Sequence, residues 1–511
     1  MLLAFFFLLP FWNKPFTTDD YVFLREAGQA LITPLKPLSA LVVWQEDLLL
    51  PASRIVPTGP VIAWLLVPVA LSGYGEWLGH AIMCGLFLAS ISGVALLALR
   101  LGCNGREARL AALLLACTPA ALGMAGTLMP DIPSLALAVF GIERVLAWRT
   151  EGSLVVAIVS GLVLGIGMVT RSHLALLLPV AVLLLYRRPL WQMAETLLPV
   201  WVALAVVLSF IWLSRDTSDH AGTLSGATAA YAATGNVLKN AKSFFANWTL
   251  ATPFVAIWLV SSWRRRWMWG ILALAVAAGT RSVLRHGDWY AIPVAILGMG
   301  MLADLSWQVW RRRSPEMAAL YAWLWIAFPV VLYVHMPSKY LLPSLPAAAI
   351  LTVRTIAVQG RVRQSWISST VAAGFFIGFL ILYADARDGD TVRAIVREHI
   401  VSRVAKGERV WSIGHWGYQW YAERAGAQTV ARNRVPALGE VIVANEDANC
   451  LLVEQFANRE RLAAYTLRSY GPQVMSSRLG AGFYSNGYGI LPLAWGTSDI
   501  HIDLWRLQKN R

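Results

Sequence analysis

The chain has 511 residues, 57% of them hydrophobic and only 14% charged, with a formal net charge of +14. A soluble protein of this length carries about a quarter charged residues, so the composition excludes an ordinary soluble globule. The apolar residues fall in long runs rather than short alternating segments, which excludes a β-barrel and points to a polytopic helical membrane protein.

The first run, MLLAFFFLLPFW, reads as a short, retained first helix, because no A-x-A cleavage site follows it. Further apolar runs place spans at about 78–99, 108–126, 131–148, 153–170, 173–186, 197–213, 247–262, 268–283, 290–309, 318–335, 341–357 and 366–383. With 1–12 they make about 13 spans, some short of the roughly 20 residues a crossing wants. Basic clusters mark the loops between them: Arg100/Arg106/Arg109, Arg144/Arg149, Arg187/Arg188, Arg264/Arg265/Arg266, Arg311/Arg312/Arg313 and Arg354/Arg361/Arg363. The basic excess therefore reads as membrane topology and not as a nucleic-acid surface. An odd count puts the N-terminus in the cytoplasm and the tail outside. Residues 1–384 form the expected transmembrane domain, with a long first outer loop at 13–77, and 385–511 an outer α/β domain of ordinary size. PVIAWLLVPVAL (60–71) in that loop suggests helices lying in the interface. Cys84, Cys103, Cys117 and Cys450 contain no CxxC pair, so neither a disulfide framework nor a zinc site is expected.

The sparse ionisable residues gather on one face. Asp19 and Asp20 follow the first span in PFTTDDYVFL. Asp131 opens the fourth in TLMPDIPS. Arg171 and His173 occupy the next outer turn, in VTRSHLAL. Arg281, Arg285, His286 and Asp288 lie in TRSVLRHGDWY, and His335, Lys339 and Tyr340 in VHMPSKYLLP. Ionisable residues at membrane depth are costly and mark function by default. Each also has a plainer reading: a solvated loop pair for Asp19 and Asp20, a helix cap for Asp131, a snorkelling side chain for Arg171. Lys339 reads equally as a headgroup anchor, and Arg281, Arg285 and His286 as interface anchors. Their joint placement outweighs any single residue.

A carboxylate at the membrane boundary can take a proton from an acceptor, and a neighbouring carboxylate raises its proton affinity. Cations at the same depth suit the phosphate of a lipid whose tail lies in the bilayer. Together they describe sugar transfer from a polyprenyl-phosphate donor, with inversion by single displacement.

Five segments carry a family resemblance. They are D-D-x-x-x-x-x-x-A (Asp19, Asp20, Ala27), PTGPVIAWLL, LMPDIPSLALAVFG, GLVLGIGMVTRSHLALLLPV and KYLLPSLPAAAIL. In this order the chain resembles the type C glycosyltransferases of the protein O-mannosyltransferase and aminoarabinose-transferase superfamily over roughly residues 10–360. The resemblance implies a catalytic carboxylate at Asp19, an acidic partner at Asp20 and a second acidic site at Asp131. Lys339 and Tyr340 match the pair near the donor phosphate, and Arg171 stands where relatives often have lysine. Arg285 joins this phosphate set, with His173, His286 and His335 as sugar or acceptor contacts. One departure is that Thr58 and Gly59 replace the first-loop histidine, which bears on the acceptor side. No obligate cofactor is implied, and a divalent cation beside Asp19 and Asp131 stays an open alternative. The implied partners are a polyprenyl-phosphate-linked sugar, the bilayer, and a glycan, lipid or protein acceptor, in a bacterial inner membrane with the tail periplasmic.

The tail segment 390–430 reads helix, strand, Gly-His-Trp-Gly turn, helix. His415 and Trp416 read as packing and turn residues, with sugar contact as the alternative. Two competing classes remain. A flippase or transporter would show inverted repeats and midplane charge, and neither is evident here. A non-catalytic membrane scaffold would leave the aspartates unexplained.

Overall fold

The computed structural model describes residues 1–508 except 45–47, 56–57, 187–192, 215–235, 263–264, 284–289, 313, 360–361 and 449–458. Helices stand at every expected span, but most are shorter than a crossing. Among the described residues four are long and apolar enough to cross a membrane: Glu76–Arg100, Ala291–Arg311, Pro315–Leu332 and Gln364–Val404. Two bent pairs raise the number to six. These are Gly105–Ala116 with Pro119–Ala125, at 62°, and Val237–Leu250 with Phe254–Ser262, at 72°. Both bends fall at proline, Pro119 and Pro253, which denies the helix an N–H and disfavours helical geometry in the residue before it. The expected spans at 153–170, 173–186, 197–213 and 268–283 are helices of 10–17 residues. By length and apolarity alone the described helices account for four to six of the about 13 expected spans. The apolar helices nonetheless make the chain an integral membrane protein.

The helix expected at 366–383 runs on to Ile395 and continues as a π-helical turn, Val396–Val401. Expected interfacial helices in the first loop are two single turns, Val61–Leu65 and Val67–Leu71. They pack Ile62, Ala63 and Val69 inward beside the helix Asp20–Ile32. A short hairpin, β1 (Leu41–Val43) with β2 (Leu49–Pro51), completes this loop.

The tail forms a mixed five-stranded sheet. Its strands are β3 (Val410–Ile413), β4 (Gln428–Thr429), β5 (Val441–Asn445), β6 (Arg459–Gln473) and β9 (Ala494–Leu507), in the order β4-β3-β5-β9-β6. A second hairpin, β7 (Met475–Ser476) with β8 (Ala481–Gly482), projects between β6 and β9. The helix Trp416–Arg424 connects β3 to the parallel β4. Every residue of β3 and β5 is buried, as expected of strands covered on both faces.

The sheet domain is fastened to the first loop rather than hung from the last helix alone. The Phe16 amide donates to Tyr421 Oη at 2.9 Å, and Tyr421 Oη donates to Glu76 Oε1 at 2.7 Å. Arg393 pairs with the same Glu76 at 2.7 Å, and Arg25 pairs with Glu423. Gly417 explains the closeness, since a Cβ there would stand 2.2 Å from the Phe16 carbonyl oxygen.

Candidate functional site

The helices Asp131–Glu151 and Leu154–Thr170 form an antiparallel pair, closed by Gly152 in the left-handed conformation (φ 67°). This turn brings the start of the first helix beside the end of the second. A helix N-terminus favours a carboxylate and a C-terminus a cation. Asp131 in the first turn and Arg171 just past the last residue therefore meet, with Arg171 Nη2 donating to Asp131 Oδ2 at 2.8 Å. Both are largely buried, with side chains 5% and 12% exposed. Arg171 Nε has no partner among the described residues, which leaves one donor over.

Lys339 and Tyr340 lie on the 3-10 turn Ser338–Ser344. Asn240 Nδ2 donates to the Val331 and Tyr333 carbonyls at 3.1 and 2.6 Å, and the Met336 amide donates to Asn486 Oδ1 at 3.1 Å. These bonds hold the segment from both sides. Tyr340 stands between two cations, with Arg171 Cζ at 5.8 Å and Lys339 Nζ at 5.6 Å from its ring centre. His335 stacks on Tyr340 at 5.7 Å and 9°, its Nε2 3.3 Å from the Tyr340 hydroxyl. Burial, then Lys339 and Arg171, push the His335 imidazole down to about 3, so it stays neutral.

Asp19 faces this set. Its Oδ2 lies 3.9 Å from Lys339 Nζ, and its side chain keeps 28% of its exposure although protein surrounds it. Asp19 is thus the more solvent-accessible partner of this pair, with Lys339 6% exposed. Burial raises its carboxyl above the ordinary 3.8, opposed by Lys339 and Arg171 and helped by Asp131. Thr18, immediately before it, is held at φ 45°, a conformation that costs a non-glycine residue about 1–2 kcal/mol.

Asp20 is placed differently from its expected role as acidic partner. It is fully buried. Its Oδ2 accepts from the Thr17 amide at 3.0 Å and its Oδ1 from the Leu128 amide at 2.8 Å. Both oxygens are engaged by backbone amides, so Asp20 braces the first loop against the segment that leads to Asp131. Burial pushes its carboxyl up to about 7, against Lys14 and the two amides.

The remaining candidates divide. His173 is half-buried, and its Nε2 has no partner among the described residues. Arg285, His286 and Asp288 lie outside the described residues. Arg281 lies in the helix Arg266–Val283. Sequence reasoning missed Lys14 and Asp385, which pair at 2.5 Å with side chains 0% and 6% exposed. Their separation of 371 residues gives no local signal.

The departure at Thr58–Gly59 has a packing reason. The Gly59 amide donates to the Thr170 carbonyl at 3.3 Å, and a Cβ at 59 would stand 1.7 Å from the Val169 carbonyl oxygen. Gly59→Ala is expected to cost about 1–3 kcal/mol by overpacking. It would read as a thermal midpoint several degrees lower, and an unchanged midpoint would show that the helix end yields freely. Asp131 is already paired and Asp19 faces a lysine, and no group of three or more His, Cys, Asp or Glu fit to hold a metal occurs among the described residues.

No family model matches the chain, and no curated protein matches it. Solved structures do. ArnT from Cupriavidus metallidurans in the apo state aligns with a TM-score of 0.45 and 14% identity, over 90% of this chain and 95% of that one. The same protein bound to undecaprenyl phosphate aligns at 0.48 and 13%, over 98% and 96%. The Archaeoglobus fulgidus oligosaccharyltransferase aligns at 0.47 and 12%, over 84% of this chain and 64% of that one. All three scores are under 0.5, so the functional reading below rests on the geometry just described.

Proposed function

We propose that this chain transfers a sugar from a polyprenyl-phosphate-linked donor to an acceptor on the outer face of the membrane. The observation that carries the proposal is the side-chain cluster in which partly exposed Asp19 stands 3.9 Å from Lys339, with Tyr340 near both Lys339 and Arg171. Lys339 and the spare Arg171 donor suit a phosphate diester, and Asp19 is a partly exposed base within reach of an incoming hydroxyl. Asp19 takes the acceptor's proton as its oxygen forms the new bond to the anomeric carbon. The bond from that carbon to the lipid phosphate breaks, and the phosphate leaves with the electron pair onto the cations. The attack is from the face opposite the leaving group, so the configuration inverts. Tyr340 and the neutral His335 wall the cation side and dry it, which strengthens each charge contact.

The test is transfer by purified full-length protein from radiolabelled polyprenyl-phosphate sugars to a membrane glycolipid and glycan extract. Label on an extract component, with free lipid phosphate released, is the expected result. Labelled lipid crossing proteoliposomes with no transfer from any donor would replace the enzyme reading by a flippase. Lys339→Ala is expected to lower kcat/KM for the donor by roughly tenfold to a hundredfold, the worth of one charge-assisted hydrogen bond. Binding of unglycosylated polyprenyl phosphate should weaken in parallel, and unchanged binding would remove Lys339 from the phosphate site.

A further inference from the structure

A cavity lies where the first loop, the C-terminal part of the helix Gln364–Ile395 and the sheet domain meet. It is lined by Thr18, Asp388, Trp416, Asn445, Asp447 and Ser498, among others. The reaction described above does not use it. We infer that this cavity is a carbohydrate-binding site, which seats a polyhydroxylated ligand between Trp416 and the carboxylates Asp388 and Asp447.

Three independent features point to a ligand. First, Trp416 is held at φ 60°, a region that L residues other than glycine, asparagine and aspartate seldom adopt. Such strain persists where surrounding structure over-determines it, and it clusters at ligand clamps. The half-buried indole lines the cavity wall while it packs on the hydrophobic cluster around Tyr418, with the Tyr488 ring centre 6.2 Å away. Second, two polar side chains that line the cavity are more than nine-tenths buried and lack partners. Asn445 Oδ1 and Thr18 Oγ1 accept and donate nothing among the described residues. A buried polar atom left so destabilises the fold unless something satisfies it. Third, the carboxylates of Asp388 and Asp447 remain 33% and 44% exposed, although Arg387 and His501 pair with them. They keep acceptor capacity toward the cavity. An aromatic face with a few convergent acceptors is the chemistry of a sugar: axial C–H groups lie on the indole, and hydroxyls donate to carboxylate and amide oxygens.

The position ties the cavity to transfer. Thr18 contributes to its wall and directly precedes Asp19. A sugar seated there lies one residue from the proposed base, so the ligand is either part of the acceptor or a separate glycan that steadies the first loop. This assignment rests on the transfer reading for its role but not for its binding.

The experiment is saturation-transfer NMR on the full-length protein in nanodiscs, with glucosamine, N-acetylglucosamine, mannose, galactose and arabinose as probes. At least one should receive saturation. Trp416→Gly is the decisive variant, because glycine accepts φ 60° without strain while the ring is lost. It should weaken binding of that probe by about tenfold or more. Trp416→Phe should keep most of it, and Asn445→Ala should weaken it without lowering the thermal midpoint. Asp19 does not line the cavity, so Asp19→Asn should leave probe binding unchanged. If transfer fails for every donor but the probe still binds in a Trp416-dependent way, the cavity stands and the function above falls. If no probe binds, or if binding survives both Trp416→Gly and Asn445→Ala, the inference is wrong. Competition by the labelled acceptor would mark the ligand as acceptor. Raised transfer with added probe would mark a separate glycan.

Discussion

Asp19→Asn is expected to lower the rate of sugar transfer by roughly a hundredfold to ten-thousandfold, the usual worth of a positioned general base. Asparagine keeps the size and a hydrogen-bonding oxygen but cannot hold the proton. Donor binding should survive, because Arg171 and Lys339 are untouched and the negative charge opposite Lys339 is removed. The loss should therefore appear in kcat and not in binding of polyprenyl phosphate. The wild-type pH profile carries a second mark. Only the ionised carboxylate accepts a proton, and burial raises the Asp19 carboxyl above 3.8. Activity should then fall as pH drops through that raised value, so the acid limb lies above that of an ordinary aspartate. Transfer by Asp19→Asn at the wild-type rate would remove Asp19 from the mechanism.

Breaking the Lys14–Asp385 pair should give the largest loss of stability. Lys14 Nζ lies 2.5 Å from Asp385 Oδ2, which also accepts from Thr17 Oγ1 at 2.9 Å and Tyr484 Oη at 3.0 Å. With neither partner in water, Lys14→Met leaves an uncompensated carboxylate inside the protein. The expected cost is about 3–5 kcal/mol. Replacing both, Lys14→Met with Asp385→Leu, should recover much of it, since two apolar side chains need no counter-charge. Thermal unfolding of the two variants side by side measures this. A single variant as stable as wild type would mean that water reaches the pair. Hydrogen exchange in residues 14–20 should also quicken in the single variant, because the pair ties the segment before Asp19 to the long helix.

The helix positions were legible because apolar runs and proline breaks act locally. Their number as crossings was not, since an apolar run shows where a helix forms but not where Pro119 or Pro253 bends it. At the site, Asp131 and Arg171 were legible as separate candidates. Their meeting depends on the antiparallel turn at Gly152. The two adjacent aspartates look equivalent in sequence, yet only Asp19 faces the cations. The positive φ of Thr18 and the start of the helix at Asp20 separate them, and neither is written in residue type. Asp385 and Tyr484 were missed because Asp385 meets the first loop across 368–371 residues and Tyr484 meets Asp385 across 99.

The unbroken rod Gln364–Val404 has a consequence for geometry above the bilayer. Its 41 residues extend about 60 Å at the rise of an α-helix, twice the roughly 30 Å of a hydrocarbon core. Asp385 comes about 32 Å along it, about one hydrocarbon thickness from its start. The remaining length is a mast that fixes the altitude of the sheet domain. A thicker or thinner membrane cannot shift that altitude independently, so the rod must tilt instead. The inclination of the rod, and with it that of the sheet domain fastened to it, therefore follows the thickness of the surrounding lipid.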